Sequence, residues 1–274
     1  MNKPMAEQHR RLPVWRTVEA SYLALIKNFG LACRLAAIPV ALIVFGLIAT
    51  FFWGDVSVLN EEGDVSSDIT IEGPYAIAET LAWICTVPTI TAWHRLVILG
   101  HDNPKSRLRY SITSAEWSYV WKVALLIGLL LACIFFAIIS VIGLIFLFFL
   151  TVGSLWLLGR VVLILPASAI SRPMSVADAW RNTRGNTWRL FFTMFLTSLP
   201  VSILSGFINN IPVVLEVAYP EMSMDALETS ALIGQAIDLP LWVIGLCVGT
   251  SVWSWSYRYL VEGEEITLPG ERSA

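Results

Sequence analysis

Residues 160–189 read RVVLILPASAISRPMSVADAWRNTRGNTWR, a polar, basic stretch set between two long apolar runs. Pro166 is expected to end the apolar helix before it, because proline supplies no N–H and clashes with the preceding turn. Ser175-Val-Ala-Asp178 reads as a capping box. Ser175 accepts from the first free N–H groups, and Asp178 suits the positive end of the helix dipole. Val176, Ala179, Trp180 and Thr183 recur at three- and four-residue spacing, with Arg172, Arg181, Arg184 and Arg189 around them. That is the pattern of a short interfacial helix, with the indole in the headgroup layer and the arginines toward anionic phosphates. The stretch therefore reads as a connecting loop with a membrane-surface helix or, more sharply, as a contact for an anionic lipid headgroup or a partner.

Composition agrees with a membrane setting. The chain has 274 residues, 56% hydrophobic and 14% charged, where a soluble domain carries about 25% charge. Twelve Trp are many for this length, as expected where aromatic belts mark two interfaces. The fold class that follows is all-α: a polytopic integral membrane protein of about six transmembrane helices. The spans are Leu31 to Trp53, Tyr75 to Leu99, two within Val120 to Pro166, Leu190 to Ile211, and Ala231 to Tyr259. As one helix, Val120 to Pro166 would be about 70 Å long against a hydrocarbon core of about 30 Å, so a turn is expected near Ser140 to Gly143. Pro39, Pro88, Pro200 and Pro240 fall inside spans. Ahead of the transmembrane domain (30–260) lies a basic segment (1–29) in which Trp15, Val18, Tyr22, Leu25 and Phe29 keep helical spacing, as on a membrane surface. A short polar tail (261–274) follows. The N-terminal segment has no short apolar core with a small-residue cleavage site, so it is expected to be retained.

Charge sets the orientation. Residues 54–74 and 212–230 are acidic and contain none of the 18 Lys and Arg. The bases fall in the N-terminal segment, in 100–122 (Lys105, Arg107, Arg109), in 160–189 and near the C-terminus, or at span ends adjoining these. Lys/Arg-rich loops are cytoplasmic, so both termini are expected in the cytoplasm and the acidic loops outside. Three basic-side preambles also resemble one another: Val18 to Tyr22, Ser114 to Trp117 and Val176 to Trp180. Each precedes a helical hairpin whose return ends in an aromatic followed by Arg: Trp93/Arg95, Trp156/Arg160 and Trp255/Arg258. The arrangement suggested is three hairpins, each introduced by a short interfacial helix. Thr113-Ser-Ala-Glu116 reads as a second capping box.

Arg160, Pro166-Ala167, Ala177 to Trp180 and Thr183 to Leu190 together resemble the pattern of a broad group of poorly characterised bacterial inner-membrane proteins. The group includes the membrane domain attached to some glycerophosphodiester phosphodiesterases. The resemblance covers about thirty residues well and the helix count loosely. It implies a helical bundle in a bacterial cytoplasmic (inner) membrane, and it carries no catalytic motif.

No site for chemistry stands out. His9, His94 and His101 have no metal-ligand spacing, and no HExxH, Gly-rich phosphate loop or GxSxG occurs. Cys33, Cys85, Cys133 and Cys247 lie one per apolar run and read as small buried hydrophobes. No enzyme, metal, cofactor or nucleic-acid partner is therefore expected. Ionisable groups within spans are the better candidates, since charge at depth is costly and usually paired. Glu79 and Asp238 either reach water at their helix ends or line a polar path with Gln235, Asn209 and Asn210. His94 and Arg95 read as an interface anchor, and Gly245-xxx-Gly249 permits close helix packing. The functional expectation is a non-catalytic scaffold or accessory protein that contacts membrane lipids and a protein partner. The alternative is a small transporter or lipid-handling protein.

Overall fold

A computed structural model describes residues 10–53, 74–100, 114–139, 153, 156–266 and 268. The turn expected at Ser140 to Gly143, the acidic loop after Trp53, Lys105, Arg107, Arg109, Thr113 and the end of the tail lie outside the described residues, as do His9 and His101. The side chain of Cys133 does too.

All regular structure among the described residues is helical. In chain order it comprises α1 (Val14–Lys27), α2 (Phe29–Trp53), α3 (Pro74–Leu99), α4 (Ser114–Ile139), α5 (Trp156–Ala169), α6 (Val176–Asn182), α7 (Thr187–Asn209), α8 (Ile211–Ala218) and α9 (Met224–Tyr257). Among the described residues, four helices are long and apolar enough to cross a membrane: Phe29–Phe52, Tyr75–Leu99, Thr187–Ala218 and Thr229–Glu262. The bundle is apolar outside, and its largely apolar core takes in a number of small polar side chains. Thr86, Thr91, His94, Ser251, Ser254 and Ser256 are buried, while Phe45, Phe52, Trp121, Phe135, Phe207 and Val217 are exposed. Such a surface suits lipid, and small hydroxyl residues at helix contacts suit association without a hydrophobic driving force.

The last helix is the axis. α9 packs against α1, α2, α3, α5, α7 and α8, while α2 and α3 lie along each other. Gly46 lets that second pair close up, since a Cβ there would stand 2.5 Å from Ala78 Cβ. Pro39 supplies no N–H for the Leu35 carbonyl four residues back. The Thr89 hydroxyl of α3 donates to that oxygen at 2.7 Å, so the proline creates an acceptor that ties the two helices together. Gly245 and Gly249 face α7, where added Cβ atoms would meet Val201 at 3.4 Å and Met194 at 3.9 Å.

Several elements differ from the sequence reading. α1 is not simply laid on a surface. Its Thr17, Ala20, Ser21 and Leu25 are buried, it packs on α9 and α7, and Tyr22 donates to the Thr197 carbonyl at 2.8 Å. Only its other face, with Trp15 and Ile26, is exposed. Pro166 does not end α5. The turns loosen at Val162 and Leu163, and a new start at Ile164 runs to Ala169. Pro166 then occupies a first turn, where its missing N–H costs nothing. The segment read as the second acidic loop contains α8. Cys247 is buried as expected, but Cys33 is exposed.

Candidate functional site

The residues singled out by sequence gather at two places along α9 (Met224–Tyr257), one at its Tyr257 end and one around Asp238, nearer its middle. Asp238 and Tyr257 on that helix are about 29 Å apart at 1.5 Å rise per residue.

At the Tyr257 end, a cleft of about 660 Å³ opens between the N-terminal segment, the 172–186 region and the residues after α9. Ser171 enters the left-handed region (φ 60) just before Arg172. Ser175 caps α6 as expected: its Oγ accepts from the Asp178 N–H at 3.1 Å and donates to the Asp178 carboxylate at 2.6 Å. α6 thereby presents Arg181, which pairs with Asp178. These contacts, the Ser175 hydrogen bond first and Arg181 second, hold the Asp178 carboxyl below its usual range. α9 continues into a single π turn, Arg258–Glu262, and its Glu262 accepts from Arg172 at 2.5 Å. Arg10 donates to the Gly263 carbonyl and lies over the Tyr259 ring. Arg184 lines the same cleft. Four arginines thus face two carboxylates there, an excess of two positive charges. Arg189 is not among them: it turns back to donate to the Leu12 carbonyl at 3.0 Å.

Asn186 holds this cleft together, a role the sequence did not suggest. Its Oδ1 accepts from the Leu12 N–H at 2.8 Å and its Nδ2 donates to the Arg10 carbonyl at 2.7 Å. No local signal marks such a contact, because the partners lie at the far end of the chain. Arg160 is sandwiched between Trp156 and Trp180, at 4.9 and 4.5 Å from their ring centres. It also donates to the Trp180 carbonyl, so the first part of α5 is fastened to α6.

Deeper in lies a second feature read differently from sequence. His94 and Arg95 do not anchor an interface. His94 is wholly buried, within 2.7 Å of Ser254 Oγ and 3.3 Å of Tyr119 Oη. Arg95 pairs with Glu116 at 2.7 Å and donates to the Ala169 carbonyl at 2.6 Å. Glu116, expected in a cap, is buried and couples α4 to α3 and α5.

At the Asp238 end, Glu79, Asn209, Gln235 and Asp238 line one chamber of about 240 Å³, with Tyr75, Trp83 and Trp242 among its other walls. Ser205 donates to Asp238 Oδ1 at 2.5 Å and Asn209 to Oδ2 at 3.3 Å. Asn210 stays outside, its amide donating to the Gly206 carbonyl of its own helix at 2.7 Å. Among the described residues, no group of three or more His, Cys, Asp and Glu is placed to hold a metal ion. The chain matches no family model, no curated protein and no solved structure.

Proposed function

We propose that the protein is a non-catalytic, six-span scaffold or accessory protein of the bacterial cytoplasmic membrane that holds anionic phospholipid headgroups in its arginine cleft. The observation that carries this reading is the convergence of Arg10, Arg172, Arg181 and Arg184 on one cleft where, among the described residues, only Asp178 and Glu262 balance them. Phosphate oxygens suit guanidinium donors in geometry and charge. The Lys/Arg-rich segments assign this end, with both termini, to the cytoplasm, where anionic lipid headgroups lie against basic surfaces. In this reading α4 and α5 belong to the third and fourth spans, and the hairpins follow in series. The likeness of residues 160–190 to bacterial inner-membrane proteins points to the same compartment.

Replacing Arg181 and Arg184 together by Gln is expected to reduce the acidic phospholipid that copurifies with the protein, read by native mass spectrometry with lipids retained. Unchanged lipid content removes this role. A second polypeptide at fixed stoichiometry in the same spectra identifies the partner that an accessory protein requires. Transport is a second reading, favoured by Glu79 and Asp238 lying in one chamber rather than facing separate surroundings.

A further inference from the structure

The chamber at the Asp238 end differs in kind from the arginine cleft. The charged groups that line it, Glu79 and Asp238, are both carboxylates. Ser205 and Asn209 orient the Asp238 carboxylate, but both are neutral and leave its charge in place. Glu79 has no ion pair or hydrogen bond among the described residues. Gln235 Oε1 is buried without a hydrogen-bond partner among the described residues, a state that a donor in the chamber relieves. Among the described residues, no Lys or Arg lines the chamber. Every wall of the chamber comes from residues 35–94 or 190–257, and neither segment contains a Lys or Arg.

The remaining walls say what kind of cation fits. Trp83 and Trp242 stand edge to face with ring centres 6.0 Å apart, and Tyr75 completes an aromatic side. Indole faces attract organic ammonium groups, whereas hard metal ions take six or more oxygens. The lone Gln235 oxygen asks for an N–H, which a quaternary ammonium lacks. A chamber of about 240 Å³ falls below the roughly 300–1,000 Å³ of drug-sized sites, so the ligand has few heavy atoms in the bound part.

We propose that this chamber binds a small alkylammonium group, its N–H donors on Glu79, Asp238 and Gln235 and its alkyl part against Trp83 and Trp242. The inference stands apart from the lipid role of the arginine cleft. The same ammonium chemistry occurs in free amines and in the phosphatidylethanolamine headgroup, so the test separates the two.

The full-length protein in phosphatidylcholine nanodiscs is titrated calorimetrically with n-butylammonium chloride, against sodium chloride at the same ionic strength. Saturable binding of the amine alone is expected, weakened at least tenfold in Glu79→Gln and in Asp238→Asn, and weakened in Trp83→Leu, which keeps both carboxylates. The three substitutions lie on two helices, so a variant that fails to fold leaves the others to decide. Repeating the titration in nanodiscs containing phosphatidylethanolamine assigns the source: lost amine binding indicates the lipid headgroup, and unchanged binding a free amine. No saturable heat in either lipid, equal binding of sodium, or full affinity in folded Glu79→Gln and Asp238→Asn overturns the proposal.

Discussion

At the Tyr257 end of the bundle, Arg172 meets Glu262, Arg181 meets Asp178 and Arg258 meets Glu264. At the other end, Glu79 and Asp238 meet only neutral groups among the described residues. The difference begins in the sequence. Residues 160–189 and 258–265 mix acids with bases, so folding closes pairs within and between them, while 35–94 and 190–257 hold acids and no Lys or Arg. Paired charges at the first end can serve architecture. Among the described residues the carboxylates at the second have no cationic partner, which is the premise of the ammonium proposal.

The sharpest way to break this contrast is at Glu116. Its pair with Arg95 is nearly dry, with side chains 13% and 3% exposed. Removing one member of a buried pair leaves the other charge uncompensated and costs about 3–5 kcal/mol, whereas replacing both by apolar residues is often neutral. Glu116→Ala is therefore expected to give the largest loss of thermal stability of any single charge removal considered. The double variant Arg95→Met/Glu116→Leu should recover most of it. Melting curves of the purified protein in one detergent decide the matter. A Glu116→Ala protein that melts like the wild type would show that charge at this end is not structural.

The same contrast explains what was legible in the sequence. Apolar runs place α2 and α3 to within two residues, because length and hydropathy alone decide a span. Glu79, Gln235, Asp238 and Asn209 were visible as a set because a polar residue in an apolar run stands out. Their shared chamber was not, since helix rotation and neighbour choice depend on packing. Arg189 and Asn210 show the limit: residue type suggested a site, and a backbone carbonyl took each side chain instead, that of Leu12 near the other end of the chain for Arg189 and that of Gly206 in its own helix for Asn210. Pro166 was misread because proline forbids a helix interior but not a first turn, and only the loosened turn at Val162 reveals which applies. Glu116 followed a capping pattern, yet its partner is Arg95 on a different helix, a contact no local pattern encodes.

At the acidic end the effect on stability should be small and of opposite sign. Asp238→Asn keeps a side chain able to accept from Ser205 and removes a charge that has no counter-ion in the described chain. Thermal stability is expected to hold or rise by about 1 kcal/mol, the usual direction when an uncompensated charge is neutralised in a site kept for function. The same melting assay reads it. A loss comparable to that of Glu116→Ala would make Asp238 a structural residue and remove the distinction between the two ends.

The smallest effect belongs to Asp178, which is about half exposed. The Ser175 hydroxyl and then Arg181 favour its ionised form, so its carboxyl titrates below the ordinary range when folded. A depressed folded value means that the stabilisation is present above the unfolded value, about pH 3.9, and is lost as pH falls through the folded one. Wild type and Asp178→Asn should thus differ slightly at neutral pH and converge on acidification, with the gap also shrinking in high salt because an exposed pair is screened. Melting temperatures of the two proteins from pH 7 to pH 2 test this. A gap that persists to the lowest pH would assign the contribution of Asp178 to the neutral geometry of the cap. The charge on α6 would then be left free to act on whatever occupies the arginine cleft.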